Sequence, residues 1–192
     1  MKEPQTPRWP STVVVAVADA TVFLALVIVL HVLRRDVSPI RHDLSDYATG
    51  AYGILMSAAF LALGLSFLSL AGALAGLPGG WRLRAGRGLL AIAGVGVACV
   101  AALPSPGTAE VAASLVAFIG FGLAAGLVSS SAWSGRRRSV TTALTAMYAL
   151  TFLAMVFGPD AIHGGLMRVA VVCIVAWVIV NAIWAARPVE AG

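Results

Sequence analysis

"SPIRHDLSDYATG", residues 38–50, places Arg41, His42, Asp43 and Asp46 between two long apolar runs. Its reading decides the fold. Each flanking run is long enough to cross a hydrocarbon core of about 30 Å, so the segment between them must lie at a membrane surface. The rest of the chain has the same character. Of its 192 residues 60% are hydrophobic and only 11% are charged, a balance that a water-soluble globular domain could hardly tolerate. The sequence is that of an integral membrane protein, and long apolar runs span a bilayer as helices because only a helix satisfies its own backbone there.

Six runs approach the length of about 20 residues that a spanning helix needs. They cover residues 11–33, 51–77, 88–103, 111–133, 140–158 and 165–186. Pro10, the Pro78–Gly79 pair, the "PSPG" of residues 104–107 and Pro159 fall at their limits, where helix breakers belong. The third run is the shortest and can borrow residues from its flanks. The first is followed by Arg34 and Arg35 and lacks a small-residue cleavage site, so it reads as a retained helix and not a signal peptide. The expected fold is all-α: a polytopic bundle of six transmembrane helices over residues 11–186, with short tails at 1–10 and 187–192.

Charge supplies the orientation. Lys2, Arg8, Arg82, Arg84, Arg87, Arg136, Arg137, Arg138 and Arg187 fall on one side of such a bundle, and Arg34, Arg35, Arg41 and Arg168 on the other. Basic residues are retained on the cytoplasmic side, so nine against four predicts that both termini are cytoplasmic. The net charge of +5 is thus a topology signal, and no nucleic acid is expected as a partner. Cys99 and Cys173 lie inside apolar runs with no CxxC spacing and read as small buried hydrophobes. On the opposite, outer side gather all three histidines, His31, His42 and His163, with Asp36, Asp43, Asp46, Glu110 and Asp160. The inner face is simply basic, whereas the outer one is chemically mixed.

Pro39, His42, Ser45 and Asp46, followed by Gly50, Tyr52, Gly53, Phe60 and Gly64, resemble the Pro-x-x-His-x-x-Ser-(Asp/Glu) signature and Gly-rich helix of the bacterial integral membrane family known as domain of unknown function 998. That resemblance implies six helices over essentially the whole chain and a place in a bacterial plasma membrane. It leaves the reaction open. The connection at residues 103–118 lacks the histidine usual in that family, and Met167 precedes Arg168 where a Gln is common.

If the second helix begins near Asp43, then His42, Asp43 and Asp46 share one helical face. Asp43 then caps the helix and Asp46 meets the positive end of its dipole. The functional reading makes Asp46 a proton donor or acceptor beside His42 at the mouth of the bundle. A helix from Asp46 to Leu77 would measure about 48 Å, so it must break near Gly50 and Gly53 or project outward. Asp19 is the one acid deep in an apolar run and must face the bundle, pair or be protonated. Thr141, Thr145 and Tyr148 of the fifth run form a polar stripe that offers it partners, although such stripes are more often helix–helix seams. Asp160, His163 and Arg168 form a second outer cluster, in which Arg168 can pair with Asp46 or Asp43 and bind an anionic group. Gly72 with Gly76 and Gly122 with Gly126 suggest close helix approaches, and Trp9, Trp81, Trp133 and Trp184 an interfacial belt. The spacings match no metal-ligand motif, and no cofactor is expected.

The leading functional expectation is a small membrane enzyme acting on a lipid or isoprenoid by acid–base chemistry, for example protonation-initiated terpene cyclisation. Asp46, His42, Asp43 and Asp19 are its candidate catalytic residues, and Arg168, Tyr52, His163 and Asp160 its candidate substrate-binding residues. Membrane lipids and a hydrophobic small molecule are the expected partners. The alternatives are a proton-coupled transporter using Asp19, for which six helices are few unless the chain dimerises, and a non-catalytic accessory protein.

Overall fold

The computed structural model describes residues 9–103 and 107–187. Lys2, Glu3, Arg8, Glu190 and the two prolines of the 104–107 breaker lie outside the described residues. Six long helices follow one another: α1 (Ser11–Leu33), α2 (Gly53–Ala73), α3 (Trp81–Ala102), α4 (Thr108–Ser131), α5 (Gly135–Phe157) and α6 (His163–Ala185). All six are long and apolar enough to cross a membrane. Consecutive helices are neighbours, α6 returns to pack on α1, and α2 also reaches α6 across the ring. The chain is a six-helix membrane bundle.

The membrane-crossing stretch of most helices is apolar all round, so what selects its inward face is fit. On α1, Val13, Ala16, Ala20, Phe23, Val27 and Leu30 are buried at alternating spacings of three and four, while Val14, Val22, Ile28 and Val32 face outward. Lipid tails are as apolar as leucine, so association depends on close packing and interhelical hydrogen bonds. The tightest approach joins α2 and α3. A Cβ on Gly64 would lie 2.7 Å from the Gly94 carbonyl oxygen, and one on Gly94 would lie 2.8 Å from that of Gly64. The glycine pairs picked out by spacing are different: Gly76 and Gly126 face open space, Gly72 meets only the Thr12 methyl, and Gly122 accommodates the Tyr148 ring. A small-x3-small pattern cannot tell which face of its helix meets a neighbour.

The stripe on α5 is a seam. Tyr148 Oη donates to the Phe118 carbonyl at 2.6 Å, Thr145 and Ser129 hydroxyls lie 3.2 Å apart, and Thr141 is buried. The chain of polar contacts continues into α6, where Trp177 Nε1 donates to Ser129 Oγ and Trp133 Nε1 donates to Asn181 Oδ1 at 2.6 Å. Trp133 is therefore buried, whereas Trp9 and Trp81 are exposed as an interfacial belt requires. Asp19 takes no partner from this seam, because α1 packs on α2 and α6 and not on α5.

Two further boundaries differ from expectation. α3 begins at Trp81, about two turns earlier than its apolar run, so Arg82, Arg84 and Arg87 ride on the helix, where long stems can carry their charges to the interface. α2 begins at Gly53, and the ionisable segment before it is a loop. Cys173 is buried as expected, but Cys99 faces outward, where a thiol behaves as one more small apolar group.

The α2–α3 contact yields the first prediction. Gly94→Val should lower the thermal midpoint of the purified protein by an amount corresponding to about 1–3 kcal/mol of overpacking, while Gly126→Val should leave it unchanged. Equal effects of the two would contradict the assigned helix faces.

Candidate functional site

The loop between α1 and α2 is a folded cap. Arg34 turns back as α1 ends, gripping the Asp36 carboxylate through Nε and Nη2 and donating from Nη1 to the carbonyls of Thr49 and Ala51. This ion pair holds the Asp36 carboxyl below its ordinary range. A single 3₁₀ turn, Ser45–Ala48, buries the Tyr47 ring, whose hydroxyl donates to the Val37 carbonyl. Gly50 and Tyr52 then adopt left-handed backbone at φ 74° and 67°, and Gly53 sits too close to the Ala48 carbonyl to bear a Cβ. These positions, permissive or strained, reverse the chain into α2. His42, Asp43 and Asp46 consequently do not share a helical face. Asp46 instead staples its own loop, its Oδ2 accepting the Asp43 backbone N–H at 3.0 Å.

The cap is fastened to the start of α6. The Gly165 N–H, one of the donors a helix start leaves unpaired, is taken by the Ile40 carbonyl at 2.9 Å. Gly164 packs so tightly on the His42 backbone that a Cβ would collide with its carbonyl oxygen. One turn later Arg168 spends its guanidinium inward. Nη1 donates to the carbonyls of His42 (2.9 Å) and Gly164 (2.8 Å), Nε to His31 Nε2 (2.7 Å) and Nη2 to Tyr47 Oη (3.4 Å), with the cation 5.6 Å from the Tyr47 ring centre. Because Arg168 can only donate, His31 Nε2 must accept; the ring is neutral, with its proton on Nδ1 and shared with the Val27 carbonyl at 2.6 Å. Arg168 thus joins α1, α6 and the cap, and makes no pair with Asp46 or Asp43.

Beneath the cap lies a cavity of about 300 Å³ to which every helix contributes. Five of the seven phenylalanines of the chain line it: Phe23, Phe60, Phe67, Phe118 and Phe152. Its floor continues into an aromatic cluster in which the Phe121 ring meets Phe67, Tyr148 and Trp177 at centroid distances of 5.0–5.4 Å. Its polar members come from two sides of the rim: Asp43, Ser45 and His163 from the cap side, Glu110 and Ser114 from α4. Asp43 Oδ1 is buried, lies 3.3 Å from His163 Nε2, and has no hydrogen-bond partner among the described residues. Burial raises the Asp43 carboxyl above its ordinary value, and the nearby His163 pulls it part of the way back. Glu110 is buried, with Ser114 Oγ at 3.5 Å.

Of the residues singled out from the sequence, Asp43 and His163 meet at this rim. His42 contributes its carbonyl and keeps its side chain exposed, Asp160 is exposed in the turn that precedes α6, and Tyr52 is a half-exposed hinge residue. Asp19 is half-buried on α1 and does not line the cavity. Glu110 and the phenylalanines carry more of the site than the sequence assigned them, and Tyr47 and His31 more of its scaffold. Among the described residues no three of His, Cys, Asp and Glu converge to hold a metal ion.

The family model for "Protein of unknown function (DUF998)" matches residues 17–184, and the chain belongs to that family. No curated protein and no solved structure matches it.

The fastening of the cap is testable. Arg168→Gln removes charge-assisted hydrogen bonds and should cost about 2 kcal/mol, and Arg168→Lys should not restore them because a single ammonium cannot fork. Hydrogen exchange of the 40–48 backbone should accelerate in both. Full rescue by lysine would show that charge alone, and not the guanidinium geometry, holds the cap.

Proposed function

We propose that this protein is a small membrane enzyme acting on an isoprenoid or other unsaturated lipid by acid–base chemistry. The observation that carries the reading is one cavity that combines walls of phenylalanine with a partly buried carboxyl at its rim, one oxygen of which is shut off from solvent. Asp43 is the acid, in place of Asp46, whose carboxylate is spent on its own loop. His163 tunes Asp43 from 3.3 Å, and Glu110 is the second carboxyl within the same cavity.

The chemistry that suits such a site is isomerisation through a cation. Protonated Asp43 delivers its proton to an epoxide oxygen or to an alkene carbon of the bound chain. The electron pair of a neighbouring double bond then closes onto the cationic carbon, and loss of a proton back to the Asp43 carboxylate left by the first step ends the reaction. Substrate and product have the same formula, so no oxidant, reductant or cofactor enters. Aromatic faces attract a cation in a water-poor cavity, and five such rings are available to it. The cavity volume falls at the small end of ligand pockets, which run from about 300 to 1,000 Å³. By the charge pattern of its connections, the rim faces the outer side of a bacterial plasma membrane.

The test is conversion of the terminal epoxide of farnesol by protein in phosphatidylcholine vesicles, read as an isomer of unchanged mass. Asp43→Asn should lower the rate by a factor of about 100 or more, while Asp46→Asn retains the larger part. An acid works while protonated, so the rate should be full at low pH and fall as pH rises through the elevated Asp43 value. His163→Gln removes the group that holds that value down, so the falling limb should move to higher pH. A limb that moves to lower pH, or full activity in Asp43→Asn, would overturn the assignment.

A further inference from the structure

The cavity has an asymmetric wall. Of all its lining residues only Val111, Leu115 and Val156 are exposed, at 53%, 48% and 53%, and all three flank the line between α4 and α5. Those two helices touch over the half that starts at the arginine-bearing connection, through Ser129 with Thr145, Tyr148 with the Phe118 carbonyl, and finally the Phe118 and Phe152 rings at 5.7 Å. Beyond that last contact, toward the rim with Asp43 and Glu110, the space between them is the cavity. α5 is also the most loosely held helix, burying only Thr141, Tyr148 and Met155 along its whole length.

We propose that the outer halves of α4 and α5 form a lateral portal through which a membrane-resident, single-chain lipid with an uncharged, oxygen-bearing head enters the cavity. This deepens the functional reading above by naming the route and the class of substrate. The side of entry follows from the exposed lining, since Val111, Leu115 and Val156 are exposed apolar side chains on two of the spanning helices and offer water no polar partner. The head follows from charge. The carboxyl groups of Asp43 and Glu110 share the rim with one imidazole, and among the described residues no arginine or lysine lines the cavity: Arg168 is committed to His31 and two carbonyls, Arg34 to Asp36, and Arg35 and Arg41 are exposed on the cap. A phosphate head would meet carboxylates without a cation to receive it. A hydroxyl or epoxide can instead donate to or accept from the carboxyls and His163 Nε2.

The experiment uses the full chain in phosphatidylcholine discs with a diazirine-bearing hexadecanol as the probe. Photoadducts should map to Val111, Leu115, Phe118, Phe152 and Val156, and unlabelled farnesol should compete for them while farnesyl phosphate does not. Leu115→Trp with Val156→Trp fills the opening and should lower labelling of Phe152 by about tenfold or more, whereas Ile54→Trp, on the exposed face of α2, leaves it unchanged. Adducts spread evenly around the bundle would overturn the portal, as would labelling of Phe152 that ignores the plug. Equal competition by the phosphate would overturn the head-group assignment. Because wild-type mapping needs no turnover, the result is separable from the enzyme reading: a correct map without conversion of the epoxide leaves the portal standing and removes the reaction. Conversion with adducts elsewhere does the reverse.

Discussion

A loop that returns to a membrane bundle must find partners for its own backbone, and here one side chain supplies most of them. Arg168 reaches from α6 to His31 on α1, to the carbonyl of His42 and to the ring of Tyr47, and so converts the 38–52 segment into a fixed lid over the helix ends. Only a guanidinium has enough divergent donors for this, and it works because His31 stays neutral to accept one of them. Gly164 completes the contact by letting the two backbones meet. Everything polar at the cavity rim from this side, Asp43 above all, takes its position from that fastening.

The cavity exists because α5 stands partly away from α4 while α1, α2, α3 and α4 close tightly in sequence. Gly64 and Gly94 bring α2 and α3 into backbone contact, and Gly96 of α3 lies against the backbone of α4. Large rings then fill the middle of the bundle from Phe67 across to Trp177, and they stop short of the rim. What remains above them is an apolar chamber with ionisable groups at one end only. Such an arrangement raises the Asp43 carboxyl above its ordinary value and so favours its protonated form relative to an aspartate in water.

The fold was legible in the sequence because membrane insertion imposes a crude code: six apolar runs, breakers between them and arginines sorted by side. The mixed rim was legible for the same reason, since charged residues can sit only at helix ends. What could not be read was direction. Asp46 and Asp43 are three residues apart and chemically alike, yet the Asp46 carboxylate turns back on the Asp43 amide and the Asp43 carboxylate turns toward the cavity, a difference set by the fastening of the loop to α6. Arg168 looked like a free cation for an anionic ligand; its partners lie 126 and 137 residues away in the chain, beyond any spacing rule. The phenylalanines were hidden for the opposite reason, because in so apolar a chain five more apolar residues carry no signal until the helices assemble.

The central claim is that the cap presents a carboxyl of raised proton affinity to an aromatic chamber. Its most direct test is a carboxyl-carbon magnetic resonance titration of aspartate-labelled protein in bilayer discs, with Asp43→Asn used to assign the signal. The account predicts that the resonance lost in that variant titrates above those of the exposed aspartates. An Asp43 signal that titrates with the exposed aspartates, or below them, would contradict it.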